Sequence, residues 1–401
     1  MPSLPVRLGL FYSAIFVGLG ASAPYIPVWF ARHGLSGAEI GLILSAPMMA
    51  RMITAPAIGV WADSFALRRT PLMIMGAVAA CAYVLLTAPF GFWWWFAVWF
   101  VAASALSTIS PLTDVIVLAR ARRDGFNYGW PRGIGSAAFI LANVTMGVLL
   151  VQGPADLVLG WIIAAAVLTA IGARFLLPPD PVREGGGRAP FAERMAGLKG
   201  LLTDGGFMLA VVSVGLIQSA HAFYYGFSAL VWKAQGIPES LTGILWGFGV
   251  AIEIGFLWFM EPWRRAVGPR RLLVIGGVAA VVRWGTLALS PPLWLLFPIQ
   301  ALHALSFAAT FMASLQLVER LSLPGNASAA QTVNSAFSGG LLIGLATIGS
   351  GALYDAVGAY GYFAMAAMSA LGLAGALRLY GVRRLDRSEE HTSELQSRAY
   401  L

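Results

Sequence analysis

Along nearly the whole chain, apolar runs about as long as one bilayer crossing alternate with short polar segments. A helix needs about 20 apolar residues to span about 30 Å of hydrocarbon. The runs that meet this requirement are 8–30, 40–61, 71–89, 92–118, 133–152, 157–177, 207–232, 241–260, 272–290, 293–317, 328–353 and 359–380. Strands of a membrane barrel alternate apolar and polar residues; these runs do not, so they predict helices. The longest polar interruption, 178–206, contains PPDPVREGGGR, where proline, glycine and charge together make a linker. It leaves six runs in 1–177 and six in 207–386. The predicted fold is an all-α polytopic membrane protein of twelve transmembrane helices in two six-helix halves.

Composition agrees with that pattern. The chain is 58% hydrophobic and 11% charged, against about 25% charged for a soluble domain. Lipid as solvent removes the need for polar cover. The remaining charges are sorted by side. With the N-terminus cytoplasmic, the inner segments hold Arg7, Arg68, Arg69, Arg120, Arg122, Arg123, the linker cations, Arg264, Arg265, Arg270, Arg271, Arg320 and Arg378. The outer loops hold only Arg32 and Lys233. This bias predicts an inner-membrane protein with both termini cytoplasmic. It accounts for the net charge of +8 without nucleic acid, whose readers present a basic face with exposed aromatics.

Two terminal features need separate treatment. The apolar N-terminal run continues through Phe30 without a clean small-residue cleavage site, so it predicts an uncleaved first span. At the other end, RSEEHTSELQS from Arg387 to Ser397 is the translation of a common sequencing-adapter string. Residues 387–401 are therefore read as an assembly artefact, and His391 with its neighbouring glutamates is not read as a metal site. The single cysteine, Cys81, excludes a disulfide within the chain.

The two halves correspond weakly. GVWADSFALRRTPL follows the second run and MEPWRRAVGPRRLL the eighth; each places an acid shortly before paired arginines. Repeated halves mark secondary transporters, with a substrate site near mid-membrane at the repeat interface. Gly59 and Asp63 followed by Arg68 and Arg69 resemble the signature loop of the major facilitator superfamily. PYIPVWFARHGLSGAEIGL (24–42), PLTDVIVL (111–118), YGWPRGIGSAAFI (128–140), QALHALSFA (300–308) and GALYDAVG (351–358) resemble its branch containing 3-phenylpropionate/proton symporters, related to lactose permease and nucleoside/proton symporters. The resemblance implies the major facilitator fold and a monomer. It also implies proton-coupled uptake of a small organic solute, with an aromatic carboxylate such as phenylpropionate as the preferred class. Two departures stand out: Ser64 and Ala66 occupy signature positions usually basic and glycine, and Trp130-Pro131 replaces an expected basic–apolar pair.

A charge at mid-bilayer costs roughly 2.5–3.5 kcal/mol, so the few that lie there need a reason. By rise per residue, Glu253 and Arg283 lie about 18 Å into their spans and His303 about 15 Å. An acid, a base and an imidazole at one depth make a plausible proton relay, and the resemblance extends that role to Glu253, Arg283 and His303. The alternatives are a static Glu253–Arg283 ion pair and a histidine hydrogen-bonded between helices with Gln300 as partner. His221, beside Phe223, Tyr224 and Tyr225, reads as packing near the outer side. In the first half, Arg51 could meet a substrate carboxylate, or snorkel, or pair with another helix. Asp114 is read as pairing with Arg132 at the inner end, a gating pair like Asp63 with Arg68 and Arg69. Tyr25 and Trp246 are candidates to line a substrate cavity.

No GxxxxGK[ST], GxSxG or HExxH motif occurs, so no cofactor, metal or catalytic residue is expected. The rivals to a symporter are a drug/proton antiporter exporting hydrophobic compounds and, from another class, a non-transporting receptor or scaffold, which has no reason to keep acid and base at mid-depth. The binding partners expected are a small solute, protons and the bilayer.

Overall fold

A computed structural model describes residues 3–181, 200–322 and 327–382. The linker segment 182–199 and the adapter-like tail 387–401 lie outside the described residues. The first six spans are α1 (Leu4–Arg32), α2 (Gly37–Ala62), α3 (Arg69–Leu85), α4 (Phe92–Asp124), α5 (Gly129–Leu150) and α6 (Asp156–Phe175). The seventh is split into α7 (Gly205–Ser219) and α8 (Ala222–Ala234), with a turn at Ala220 and His221. Then follow α9 (Glu239–Phe259), the short α10 (Glu261–Val267) and α11 (Pro269–Ala288). The tenth span is α12 (Leu293–Ala301), a π-helical stretch Ala304–Ala309, and α13 (Thr310–Leu321). The last two are α14 (Ala327–Ala336), a second π stretch Phe337–Leu342 and α15 (Ile343–Val357), then α16 (Gly361–Arg378). Among the described residues, ten helical stretches are long and apolar enough to cross a membrane. One of them, Ala330–Gly381, is 52 residues long, enough for two crossings, and Arg69–Leu85 is a shorter apolar helix. Counted so, they supply the twelve crossings that the hydropathy pattern predicts.

Local signals set the helix ends. Ser36 and Glu39 form a reciprocal capping box at the start of α2: the Glu39 amide donates to Ser36 Oγ, and Glu39 Oε2 accepts from the Ser36 amide. α4 stops at Gly125, which takes the left-handed conformation at φ 72°. Asp204 caps α7 by accepting from the Phe207 amide at 2.9 Å. Arg264 is buried within α10 and donates to the Leu257 carbonyl at 2.7 Å, satisfying the carboxyl end of α9. Burial lowers the proton affinity of its guanidinium. At the start of α4, Trp93 is exposed, whereas buried Trp95 donates to the Leu86 and Ala88 carbonyls and ties down the α3–α4 turn.

The described residues form two compact units. One comprises 3–181, 224–248 and 347–358; the other 200–223, 249–322, 327–346 and 359–382. The later segments of the first unit are held there by charge and capping. Glu239 Oε1 takes Arg32 Nη2 at 2.9 Å and Lys233 Nζ at 2.8 Å. The Tyr25 hydroxyl donates to the Glu239 carbonyl at 3.0 Å. The Asp355 carboxylate accepts from the Gly37 and Ala38 amides, at 2.7 and 2.8 Å, on the first turn of α2, where free amides and the helix dipole favour a negative charge. Gly243 packs so tightly on α5 that a Cβ there would stand 2.5 Å from the Asn143 carbonyl oxygen.

Candidate functional site

The second unit contains a buried polar cluster. Arg283, on α11, is 1% exposed, and Gln300, on α12, is 0% exposed. The guanidinium reaches three acceptors: Nη1 meets His303 Nδ1 at 3.0 Å and Ser306 Oγ at 3.3 Å, while Nη2 donates to Gln300 Oε1 at 3.0 Å. The other ring nitrogen of His303, Nε2, lies 3.2 Å from Glu253 Oε2. Gly249, one turn before Glu253 on α9, faces α12, where a Cβ would stand in ordinary contact, 3.5 Å from the Gln300 carbonyl oxygen. The π stretch follows His303 directly and carries Ser306. Such stretches concentrate at functional positions because they break the regular i, i+4 spacing.

These partners fix the protonation pattern. An arginine only donates, so His303 Nδ1 must accept. The imidazole proton is then on Nε2, facing the Glu253 carboxylate. The tautomer is thus assigned from the hydrogen bonds. The result is a directed chain, Arg283 to His303 to Glu253, in a site largely closed to solvent.

Two sequence expectations change here. Glu253 and Arg283 do not form an ion pair; the His303 ring stands between them, because α11 presents the guanidinium to α12 and its π stretch. Gln300 serves Arg283 rather than His303. A third change concerns His221, read from sequence as outer-side packing. It is 0% exposed, with ring centroids 4.9 Å from Trp284 and 5.6 Å from His303 and its Nε2 3.3 Å from Ser306 Oγ. Span 7 is broken at this residue, and helical spacing alone could not aim the ring. The Gln218 group that faces its Nδ1 is a main-chain carbonyl, so no residue spacing signals the contact.

The remaining candidates lie in the first unit. Asp114 accepts from the hydroxyls of Tyr12 and Tyr128, the latter at 2.9 Å. It forms no ion pair with Arg132. That guanidinium instead lies 4.5 Å over the Phe16 ring and 5.3 Å over Tyr12, and donates to Ser110 Oγ at 3.2 Å; aromatic faces on α1 compete for it. Burial first, and the Asp114 charge second, push the Tyr128 phenol upward, so it stays a donor. At the end of α2, Gly59 accepts from the Asp63 amide. The Arg68 amide donates to the Asp180 carbonyl at 2.9 Å, and Arg69 Nη1 donates to the Arg174 carbonyl at 3.1 Å. Arg120 pairs with Asp180. Tyr25 and Trp246 are buried; Trp246 donates to Ser228 Oγ at 3.1 Å and stacks on Tyr224. Arg51 is exposed and makes no hydrogen bond or ion pair among the described residues.

Comparison with known proteins places this geometry. The MFS_1 like family matches residues 6–365. A probable 3-phenylpropionic acid transporter of Escherichia coli (strain K12) is 28% identical over 374 residues, covering 91% of this chain and 94% of that protein. Maltose permease of Geobacillus stearothermophilus is 30% identical over 351 residues, 86% of each. In fold, the chain is similar to a mutant form of the nucleoside transporter NupG, with a TM-score of 0.79 at 18% identity, covering 94% of this chain and 100% of that one. It is also similar to a bacterial homolog of the human lysosomal transporter Spinster in an inward-facing, unoccupied conformation, with a TM-score of 0.71 at 13% identity, covering 95% and 96%. The chain belongs to the MFS_1 like family and is a multi-pass membrane transporter of the major facilitator class for a small molecule, a secondary transporter and not an enzyme.

Proposed function

We propose that the protein takes up a small organic solute together with protons, and that Glu253 is the group that carries the proton. The observation that supports this is the Arg283–His303–Glu253 chain: a carboxylate whose neighbour is an imidazole held in one tautomer by a permanent cation. While Arg283 engages Nδ1, His303 can only offer its Nε2 proton to Glu253. When Arg283 withdraws, Nδ1 is free to accept a proton and the ring can exchange one with the carboxylate. A conformational change that moves the guanidinium therefore changes proton affinity, which is what coupling requires.

The substrate class is an aromatic or other small carboxylate. The relative named for 3-phenylpropionic acid supports it, as does Arg51, an exposed guanidinium suited to a planar anion. Gln300, Trp246 and Tyr25 shape the binding region, Gln300 by holding Arg283. The sequence repeats 1–177 and 207–386 move in alternating access, with Gly59, Asp63, Arg68, Arg69, Asp114 and Arg132 at the inner gate. The protein works as a monomer in the inner membrane with both termini cytoplasmic.

The test is proton flux into proteoliposomes loaded with an interior pH dye, offering 3-phenylpropionate, benzoates, nucleosides and maltose, with Glu253→Gln beside wild type. Solute-driven proton entry that Glu253→Gln loses is the expected result. Expulsion of a hydrophobic dye by an imposed pH gradient, with no solute moving protons, would establish export by antiport instead.

A further inference from the structure

Among the described residues two imidazoles are buried, and the coupling chain uses one of them. The second, His221, sits at the turn that breaks span 7, and its contacts also have a fixed direction. Its Nδ1 lies 3.0 Å from the Gln218 carbonyl oxygen. A carbonyl only accepts, so Nδ1 carries the proton. In the neutral ring Nε2 is then an acceptor, 3.3 Å from Ser306 Oγ. Ser306 donates to it and in turn accepts from Arg283 Nη1, also at 3.3 Å. Donation therefore runs from Arg283 through Ser306 to His221 and ends on a main-chain carbonyl at the break. The same Nη1 also heads the arm to His303 and Glu253. The two imidazoles hold opposite tautomers: Arg283 Nη1 sets that of His303 and the Gln218 carbonyl sets that of His221, with Ser306 as the link between them.

We propose that His221 is a positioning residue for the coupling site: through Ser306 it holds Arg283 on His303 Nδ1, and so keeps His303 in the tautomer that faces Glu253. Both links lie at helix irregularities, the turn at Ala220–His221 and the π stretch Ala304–Ala309. A shift of span 7 at its break is thereby transmitted to the guanidinium. His221 itself is packed between the Trp284 and Phe307 rings, and the charged or titratable groups near it are Arg283 and His303. This inference rests on the proton-coupling reading above.

The test has one readout that needs no solute. Nitrogen-15 spectra of histidine-labelled, purified full-length protein report each ring's tautomer. In wild type, His221 is expected as the Nδ1–H form and His303 as Nε2–H. Ser306→Ala and His221→Asn, which remove the link at Nε2, are expected to turn the His303 signal into a mixture of tautomers. His221→Gln places an amide where Nε2 was and is expected to preserve it. An unchanged His303 spectrum in all variants overturns the proposal, as does Asn performing as well as Gln. The second readout is pH-driven accumulation of radiolabelled 3-phenylpropionate in proteoliposomes, set against exchange at equal concentrations. His221→Asn is expected to lower accumulation at least ten-fold and exchange less than three-fold, with His221→Gln recovering most of the difference. Loss of both in equal proportion would show a merely structural role. Glu253→Gln separates the two ideas: if it abolishes accumulation while His221→Asn matches wild type, His221 alone is misassigned. If Glu253→Gln still accumulates solute, the coupling reading fails, and the tautomer spectra decide the positioning role by themselves.

Discussion

Two carboxylates enclosed by apolar helices receive opposite treatment in the two compact units. Asp114 is held by two phenols, Tyr12 and Tyr128; Glu253 is held by an imidazole. A free phenol loses its proton near pH 10 and an imidazole near 6.5. Under physiological conditions a tyrosine therefore keeps its proton and takes up no second one. Asp114 accepts from both hydroxyls and serves as a structural anchor. Histidine can accept as well as donate, so the proton opposite Glu253 can be exchanged. The type of neighbour, more than the carboxylate or its depth, separates an anchor from a candidate carrier.

The strongest way to break that comparison is at Glu253. One proton carried with a carboxylate anion moves no net charge, so the pH gradient drives it, and each pH unit supplies about 1.4 kcal/mol, enough for accumulation of about ten-fold. Glu253→Gln should remove that whole gradient-driven factor while solute exchange at equal concentrations continues, as measured by isotope flux in proteoliposomes. Asp114→Ala is the matching test in the other unit. It strands the buried Tyr12 hydroxyl without its acceptor and should lower stability by about 1–3 kcal/mol, read as thermal unfolding in detergent, with the proton-to-solute ratio unchanged. A change in that ratio would make Asp114 part of the coupling chemistry and remove the distinction. Asp355→Ala takes the cap from the first turn of α2 and should cost about 0.5–2 kcal/mol, read in the same thermal unfolding. Smallest should be Arg32→Gln. Its ion pair with Glu239 is partly exposed and Lys233 still serves the same oxygen, so a loss of no more than about 1 kcal/mol is expected.

The fold was largely legible in the sequence because lipid imposes one rule on every crossing: about 20 apolar residues with backbone bonds satisfied internally. The positions of Glu253, Arg283 and His303 were legible for the same reason, since charge is rare in such runs. Their connectivity was not. Depth along a helix can be counted, but the facing direction of each side chain depends on helix breaks and π turns. Those at Ala220–His221 and Ala304–Ala309 carry no periodic signature. Hence the sequence pairs Glu253 with Arg283, where the structure inserts His303, and it leaves His221 as packing. Asp114 and Arg132 fail as a pair for a different reason. Tyr12, Phe16 and Tyr128 compete for them, and competition among neighbours on three helices is invisible to spacing along one.

The π stretch at Ala304–Ala309 amounts to a dislocation, one surplus residue in a screw of otherwise constant pitch. Deleting a single residue from it would anneal span 10 into continuous α-helix and rotate one side against the other by about 100°. Gln300 and His303, before the stretch, and Ser306, inside it, could then no longer all face the Arg283 guanidinium, although hydropathy and length would scarcely change. For this span, a one-residue gap is a more severe edit than most substitutions, and chain length here is as much a part of the site as any side chain.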